Sequence, residues 1–464
     1  MNLSLKVVLP AVARELEARF ALSGKGLWLV GGWVRDALLG NVHSDLDFAT
    51  DAHPQESAEI MRGWGNSKIW TTGIEFGTVG IKKGPITIEV TTFRSEVYRE
   101  ESRNPEVRFA DSLETDLSRR DFTVNAMAIR LPDGQVVDPF GGARDLVARL
   151  IKTPLAPEIS FSDDPLRMLR ALRFASVLGF EVDPAVAGAI HEMSDRLGIV
   201  SKERVRDEFS KLMLGTFPSK ALALADSTGL ASEFLPELPA LKLEQDPIHR
   251  HKDVFGHTLA VLENVLAAEQ GPPDLELRLA ALMHDVGKPK TKQITPKGVT
   301  FHHHEVVGAD LTENRLKELR YPAKTVEAVR ELVYLHLRFH TYRLGWTDKA
   351  VRRYVRDAGA LLGKLNTLVR ADCTTRNPAK ARQLSQRMDD LEERIAELAS
   401  REELMQMRPA LNGQQVMAHL GIEPGKLVGE ALAMLMEVRM ESGEISEGQA
   451  YAKLEEWARG KAVV

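Results

Sequence analysis

The sequence predicts an α+β domain at the N-terminus followed by a long helical region. Two observations lead to this fold class. After a first helix within residues 1–23, four short runs of strand character occur between residues 27 and 93, interrupted by two helical segments at 34–39 and 54–64. From residue 162 onward, apolar residues recur at the spacing of helices that bury one face. A chain of 464 residues is long enough for two to four domains with their own cores.

The composition limits the functions to consider. The chain is 44% apolar and 27% charged, as ordinary soluble proteins are, and it lacks an apolar run of about 18 residues that a membrane span would need. The amphipathic N-terminus does not resemble a signal or transit peptide. The single cysteine, Cys373, excludes intrachain disulfides and predicts a cytoplasmic location. A net charge of −5 argues against bulk nucleic-acid binding but allows a local basic face for one folded RNA.

The most informative stretch is Leu27–Thr50. Its apolar start predicts a buried strand, Gly31 and Gly32 allow a tight turn, and residues 34–39 predict the start of a helix. A glycine turn that leads into a helix presents free N–H groups and the positive end of the helix dipole, which suits a phosphate. Arg35 adds a forked donor beside this turn.

Asp45 and Asp47 lie on the next predicted strand. Side chains two residues apart on a strand face the same side, so both carboxylates point one way. Two hard oxygen ligands on a rigid strand suit Mg²⁺ bound to the phosphates of a substrate. The phosphate site and the carboxylate pair together predict nucleotidyl transfer, with two metal ions, a triphosphate and an attacking hydroxyl.

The motifs GGWVRDALLG and DLDFAT resemble the signature of class II tRNA nucleotidyltransferases (CCA-adding enzymes) and their bacterial poly(A) polymerase relatives, within the DNA polymerase β superfamily. The resemblance covers nearly the whole chain. It implies a polymerase β-like palm with a mixed β-sheet and flanking helices, followed by an all-α neck, body and tail. The implied domains are a nucleotidyltransferase head at 1–150, a neck for base recognition and RNA binding at 151–245, an HD metal-binding domain at 246–375 and a tRNA-binding tail at 376–464.

Three further segments follow the resembled pattern. Glu89 is a third carboxylate for metal binding or for orienting the attacking hydroxyl, and a partly exposed strand glutamate is the equal alternative. Residues 94–111 are polar and predict a mobile loop, and the family has a flexible loop here that assists the final A addition. Arg119, Arg120 and Asp121 match a family motif in which the arginines can clamp the triphosphate and the aspartate can accept from a ribose hydroxyl. Surface ion pairing is the alternative for these three residues.

A second specific motif begins at Asp163, which is predicted to cap a helix. Asp164 and Arg167 are then neighbours on the helix surface. An aspartate can accept from the exocyclic amine of C or A, and an arginine can donate to the ring edge, so this pair could select C and A without a template. The resemblance assigns that role to them, although the family usually has Glu at Asp163. Arg170 and Arg173 are predicted nucleotide or RNA contacts, and a salt-bridged helix is the alternative.

Nine of the thirteen histidines lie between residues 249 and 340. The order H…HD…D on apolar helices resembles the HD superfamily of metal-dependent phosphohydrolases. Imidazoles and carboxylates suit Mn²⁺, Ni²⁺, Co²⁺ or Mg²⁺, which activates water on a phosphate. Within the run of three histidines at 302–304, the third is chosen because HEVVG resembles the HExxG form. The predicted ligands of this second divalent metal site are His257, His284, Asp285, His304, His336 and Asp372.

The implied function is template-independent addition of C, C and A to tRNA 3′ ends from CTP and ATP, with Mg²⁺ and with release of pyrophosphate. An HD phosphohydrolase activity can accompany it, and neither a membrane nor a stable protein partner is indicated. The main rival is a poly(A) polymerase, whose bacterial form has a basic element where this chain has Gly73–Phe76. A phosphohydrolase with a regulatory nucleotide-binding head is a second rival, which the intact Asp45 and Asp47 disfavour. A pure RNA-binding protein would need neither metal set.

Overall fold

The chain folds into two compact units, Met1–Pro239 and Ala240–Val464. The computed structural model describes residues 9–41, 45–64, 69–99, 102–109, 112–243, 253–296, 298–341, 346–374, 377–401 and 407–461. In the described residues, no helix is both long and apolar enough to cross a membrane.

The strands belong mostly to the first unit. In chain order they are β1 (Leu27–Val30), β2 (Asp45–Thr50), β3 (Thr78–Lys83), β4 (Ile86–Thr92), β5 (Arg94–Arg99), β6 (Ser102–Phe109), β7 (Ala128–Arg130), β8 (Val136–Val137), β9 (Leu150–Ile151), β10 (Glu181–Val182), β11 (Gln293–Thr295) and β12 (Gly298–Thr300). Six of them form one sheet in the order β3-β4-β2-β1-β7-β8, in which β2 and β4 are parallel and the other neighbours antiparallel. The predicted mixed sheet of the α+β class is confirmed.

Helices surround this sheet and make up most of the second unit. In chain order they are α1 (Ala11–Leu22), α2 (Gly32–Leu38), α3 (Pro54–Met61), α4 (Leu113–Ser118), α5 (Gly142–Ala148), α6 (Pro157–Asp163), α7 (Leu166–Leu178), α8 (Pro184–Met193), α9 (Lys202–Met213), α10 (Pro218–Ser227), α11 (Ala231–Phe234), α12 (Glu237–Ala240), α13 (Val254–Ala268), α14 (Leu275–Met283), α15 (Lys288–Thr291), α16 (His304–Glu318), α17 (Ala323–Leu335), α18 (Arg338–Thr341), α19 (Asp348–Ala358), α20 (Leu362–Ala371), α21 (Pro378–Arg401), α22 (Gly413–Leu420), α23 (Lys426–Ser442) and α24 (Glu447–Gly460).

Strand β2 shows why the sheet presents its carboxylates to one face. Leu46 and Phe48 are buried, whereas Asp45 and Asp47 alternate with them and face outward. The burial of the apolar pair fixes the register, because a slip by one residue would exchange the two faces. The parallel neighbour β4 places Glu89 directly beside Asp47.

The prediction of a loop at residues 94–111 is wrong for most of the segment. Strands β5 and β6 pair antiparallel as a sheet of their own, with a register shift between Val97 and Arg99. Backbone hydrogen bonds between two strands do not require apolar side chains, so the polar composition concealed the hairpin. Residues 100–101 and 110–111 lie outside the described residues.

The second unit is built around a packed group of helices. Helix α13 packs against α14 and α20, and α17 packs against α14 and α16. Asp253 and Asp274 cap the first two of these helices, since their side chains accept from Gly256 N and Leu277 N. Helices α22, α23 and α24 form a separate apolar cluster that includes Val416, Leu435 and Leu454. The predicted helical region that follows the α+β domain is confirmed.

Candidate active site and candidate metal centre

An open pocket of about 300 Å³ lies on the face of the sheet that carries the aspartates. Its wall combines carboxylates from two strands with arginines from the segments that follow the sheet. The lining residues are Val30, Asp47, Phe48, Thr78, Glu89, Thr91, Arg94, Arg119 and Arg120. Opposite charges that converge in one pocket can hold a metal ion and a polyanion side by side.

The carboxylates influence one another. Although the side chain of Asp47 faces the open pocket, the protein around it and the neighbouring Asp45 raise its pKa against the opposing effect of Arg120. Partial burial raises the pKa of Glu89, and the negative charges of Asp47 and Asp45 raise it further. In the described part of the chain, these three do not form a group with ligand atoms within 4.8 Å of one another. The arrangement fits a cation, because a cation would relieve the mutual repulsion.

The glycine turn approaches this pocket closely. Gly31 has a φ of 73°, and a Cβ atom there would lie 3.0 Å from Nη1 of Arg120 and 3.8 Å from Oδ2 of Asp47. Helix α2 begins at the next residue and has only seven residues. Arg35 is held by Asp36, with Nε 2.8 Å from Oδ1, and by Asn125, whose Oδ1 accepts from Nη1 at 2.7 Å.

Asp116 organises the two arginines of the predicted triphosphate clamp. It is buried, and its Oδ1 accepts from Nη2 of Arg119 at 2.7 Å while its Oδ2 accepts from Nη2 of Arg120 at 3.1 Å. Burial alone would raise the pKa of Asp116, but the two arginines outweigh it and lower the pKa. Sequence reasoning missed this residue, although its spacing of three and four residues before the arginines on one helical turn was a usable signal.

Asp121 was predicted to accept from a ribose hydroxyl, and the structure already gives both of its oxygens partners. Oδ1 accepts from the backbone N of Phe122 at 2.8 Å and from Nδ2 of Asn125 at 2.9 Å, and Oδ2 accepts from Nε of Arg170 at 3.0 Å. Burial opposes ionisation, but Arg170 and Asn125 outweigh it and lower the pKa of Asp121 to about 2. A ribose contact would have to share these acceptors, and it stays a prediction.

The prediction that Ser162 or Asp163 caps a helix that includes Asp164 is wrong. Asp163 ends α6, and Asp164 is extended, with φ −142° and ψ 100°, before α7 begins at Leu166. The physical reason is Pro165, since a residue that precedes proline is disfavoured in the helical conformation. The side chain of Asp164 instead accepts from Leu166 N at 3.1 Å, just before α7 begins.

Asp164 and Arg167 therefore do not pair with each other. Oδ2 of Asp164 accepts from Nη2 of Arg204 at 2.7 Å. The buried guanidinium of Arg167 donates to Oγ of Ser160 at 2.9 Å and to the backbone oxygen of Arg119. Arg204 lies on α9, 37 residues after Arg167 in the sequence, so the local pattern on α7 could not identify it.

The other two arginines of α7 are bound to buried acids. Arg173 lies 2.8 Å from Glu208 on α9, and Arg170 contacts the same carboxylate at 3.3 Å besides Asp121. The ring of Phe174 lies among Arg173, Arg170 and Arg35, with guanidinium carbons 4.0 to 5.8 Å from its centroid. The structure thus gathers Arg170 and Arg173 of the predicted neck and Arg35 of the predicted head around one aromatic ring.

The six predicted HD residues of the second unit converge. Nδ1 of His284, His304 and His336 donates to the backbone oxygens of residues 281, 301 and 333, and Nδ1 of His257 lies 2.7 Å from Oγ1 of Thr374. Since a carbonyl oxygen can only accept, the neutral rings of His284, His304 and His336 carry their lone pair on Nε2. The Nε2 atoms of His304 and His336 are buried without a hydrogen-bond partner in the structure.

Two adjacent groups of three ligand residues can be distinguished in this cluster. One contains His257, His284 and Asp372, the other contains Asp285, His304 and His336, and within each group the atoms lie within 4.8 Å of one another. Asp285 joins them, since its Oδ2 lies 3.2 Å from Nε2 of His284 and its Oδ1 lies 3.3 Å from Nε2 of His304.

The electrostatics suit a cation at the same place. Burial disfavours the charged form of Asp285, but His284 outweighs it and holds the pKa of Asp285 well below its usual range. Burial and the nearby His284 lower the pKa of His336 to about 3, so this imidazole is in its neutral, ligating form at ordinary pH. Buried unpaired Nε2 atoms beside two ionised carboxylates are the donor set that a divalent transition metal prefers.

Glycine allows the HD turn to approach helix α16. A Cβ atom on Gly287 would lie 2.1 Å from the backbone oxygen of His304. A pocket of about 270 Å³ opens beside the cluster and gives it access to solvent. Its lining residues are Val254, His257, Lys288, His340, Asp372, Cys373, Thr374, Lys380 and Leu384.

Family models match segments in both units of the chain. The chain matches family models described as a poly A polymerase head domain at residues 27–152, a probable RNA and SrmB-binding site of polymerase A at 179–241, and an HD domain at 254–405. It is 35% identical to an A-adding tRNA nucleotidyltransferase of Deinococcus radiodurans over 93% of this chain and 96% of that protein. It is 32% identical to a CC-adding tRNA nucleotidyltransferase of Thermus thermophilus over 94% and 95%.

The fold is also shared with a solved structure. A Bacillus stearothermophilus CCA-adding enzyme in complex with CTP superimposes with a TM-score of 0.71 and 28% identity, over 98% of this chain and 99% of that one. Head and HD sites together define a template-independent nucleotidyltransferase with a second divalent-metal domain. The chain belongs to the tRNA nucleotidyltransferase and poly(A) polymerase family. The head domain and the HD domain, which both imply use of a divalent metal, each match a family model.

We expect Asp116→Asn to raise the KM for CTP about tenfold with a smaller change in kcat, because Arg119 and Arg120 lose the charge that orients them. Steady-state CMP incorporation measures both constants. Asp133→Asn is the matched control, since Asp133 pairs with the exposed Arg130. A fall in kcat at unchanged KM would contradict the positioning role.

Asp121 should make stability depend on acid pH. Its folded pKa of about 2 lies below the ordinary value of 3.8, so the ionised form stabilises the fold above about pH 4 and this contribution is lost as the pH falls toward 2. The difference in free energy of unfolding between wild type and Asp121→Asn should therefore be about 2 kcal/mol near neutral pH and shrink in acid. Urea titrations at several pH values measure it. A difference that grows in acid would refute the assignment.

Proposed function

We propose that this protein adds C, C and A to the 3′ end of tRNA from CTP and ATP and releases pyrophosphate. This proposal rests on the similarity to tRNA nucleotidyltransferases along almost the full chain, combined with the pocket of carboxylates and arginines on the sheet. Mg²⁺ at Asp45 and Asp47 would activate the 3′-hydroxyl of the RNA and stabilise the leaving pyrophosphate. A cytoplasmic location fits the single cysteine.

The residues of the first unit divide the work of the reaction. Asp45 and Asp47, with Glu89 beside them, form the acidic side of the pocket, where the attacking hydroxyl and the α-phosphate would meet. Arg119 and Arg120 form the basic side and hold the triphosphate in line. The positive charge of the arginines stabilises the negative charge that develops on the phosphate oxygens.

Selection of the base falls to the neck. The carboxylate of Asp164 can accept from the exocyclic amine that C and A share, and Arg204 and the N–H of Leu166 hold this carboxylate from two sides. Arg167 is fixed by Ser160 and by the backbone of Arg119. Since protein groups read the base, the specificity needs no nucleic-acid template.

The HD centre supports a second, hydrolytic activity on phosphate esters. Its six ligands lie in the other unit, so this chemistry needs no residue of the nucleotidyl-transfer pocket. A metal ion there would supply activated water. Lys288 and Lys380 line the pocket beside the cluster and can bind the phosphate that is attacked.

Two relatives favour specific alternatives. One full-length relative is named for adding A and the other for adding CC, so this chain could perform one part of the sequence. The hairpin β5–β6 lies where the family places the loop that assists A addition, which favours the complete CCA product.

The first experiment uses a tRNA transcript that lacks its 3′ CCA, with Mg²⁺ and each nucleoside triphosphate singly and combined. We expect two additions with CTP and one further A that stops the reaction, resolved at single-nucleotide length. Two C additions without A would identify a CC-adding enzyme. Addition of A only to a transcript ending in CC would identify an A-adding one, and a long A tail a poly(A) polymerase.

The two activities should separate by mutation. Asp47→Asn should abolish nucleotide incorporation, because it removes a metal ligand from the pocket, and leave hydrolysis of a phosphodiester such as bis-p-nitrophenyl phosphate unchanged. His336→Gln should do the opposite and lower the content of bound divalent metal, measured by elemental analysis. Loss of both activities in a variant whose circular dichroism and melting temperature match wild type would contradict two independent sites, whereas loss of both with a lowered melting temperature would indicate a general folding defect.

A further inference from the structure

The second unit contains a large polar cavity that neither proposed activity uses. It has a volume of about 620 Å³ and lies where the ends of α21 and α23 meet the start of α24. Three arginines contribute to its wall. The lining residues are Ala399, Ser400, Arg401, Arg408, Pro409, Ala410, Arg439, Glu444, Ile445 and Glu447.

Arg439 is the residue that makes this cavity unusual. Its side chain is only 8% exposed, and its nearest carboxylate, Glu444, lies 3.8 Å from Nη1, beyond a hydrogen bond. Its Nε is buried and finds no hydrogen-bond acceptor in the structure. A guanidinium that is removed from water normally has its donors paired, because burial of an unpaired cation is costly.

The other two arginines add charge at the mouth of the cavity. Arg401 ends α21 with its side chain 62% exposed, and its carboxylate neighbour Glu397 is 3.8 Å away. Arg408 is exposed, and among the described residues no hydrogen bond or ion pair involves it. Glu444 is 76% exposed and can turn toward solvent. Donors of three arginines are therefore available to one ligand.

We propose that this cavity binds a phosphate group. Guanidinium groups match phosphate oxygens with paired, charge-assisted hydrogen bonds, and a buried arginine with a free Nε can supply the deepest of them. The volume is in the range of sites for small organic ligands, so the phosphate can carry a sugar. The phosphate comes either from the backbone of the bound RNA, which rests on the proposed function, or from a free phosphate compound.

The test compares wild type with Arg401→Gln and Arg408→Gln, singly and together, because these exposed residues can change without disturbing the core. Arg459→Gln is the matched control, since Arg459 lies on α24 about 18 Å along the helix from Glu447. Binding of labelled tRNA lacking CCA is measured without nucleotides across a salt series. Inorganic phosphate is titrated separately while the melting temperature is followed.

If the phosphate belongs to RNA, the double variant should bind tRNA on the order of tenfold more weakly, and the salt dependence should fall by about one phosphate contact per arginine. If it is a free phosphate, tRNA binding stays unchanged and only the rise in melting temperature with phosphate is lost. Unchanged behaviour in both assays, or an equal effect of Arg459→Gln, overturns the proposal. A protein that binds tRNA in this way but incorporates no CMP refutes the proposed function alone.

Discussion

The ion pair between Asp121 and Arg170 joins the sheet to the helices that follow it. Asp121 comes from the segment after α4, whereas Arg170 lies 49 residues further on in α7. The same junction includes the bond from Arg167 to the backbone of Arg119. Because Asp121 is buried, separating the pair would leave its carboxylate without a partner away from water. The pair and the bond from Arg167 therefore hold the segment of Arg119 and Arg120 close to α7, which follows Asp164.

The second unit solves a different electrostatic problem. Four imidazoles are anchored through Nδ1, so their Nε2 atoms have no freedom to turn away from the two carboxylates between them. Positive charge stabilises two carboxylates placed so close together; Lys288 supplies it to Asp285, and a metal ion would add it at the imidazoles. The hydrogen bonds at Nδ1 thus orient the four imidazoles without a metal ion.

Much of this could be predicted from the sequence, because the informative motifs are local. The strand before Gly31, the alternation around Asp47 and the HD ligands each follow from short-range spacing, and the structure brings the six HD residues together. Where the prediction failed, partners distant in sequence decided. Arg204 binds Asp164 across 40 residues. Pro165, by contrast, is a local signal: the prediction places it in the first turn of a helix that includes Asp164, whereas it disfavours the helical conformation at Asp164 and α7 begins after it.

The hairpin β5–β6 follows β4 directly in the chain, yet it pairs only with itself. No strand of the six-stranded sheet depends on its hydrogen bonds, and the register that places Asp47 beside Glu89 is fixed elsewhere. Insertions or deletions beyond Arg94, which lines the pocket, would leave this register intact. The hairpin can therefore change in length as a separate element while Asp47 and Glu89 keep their places on the sheet.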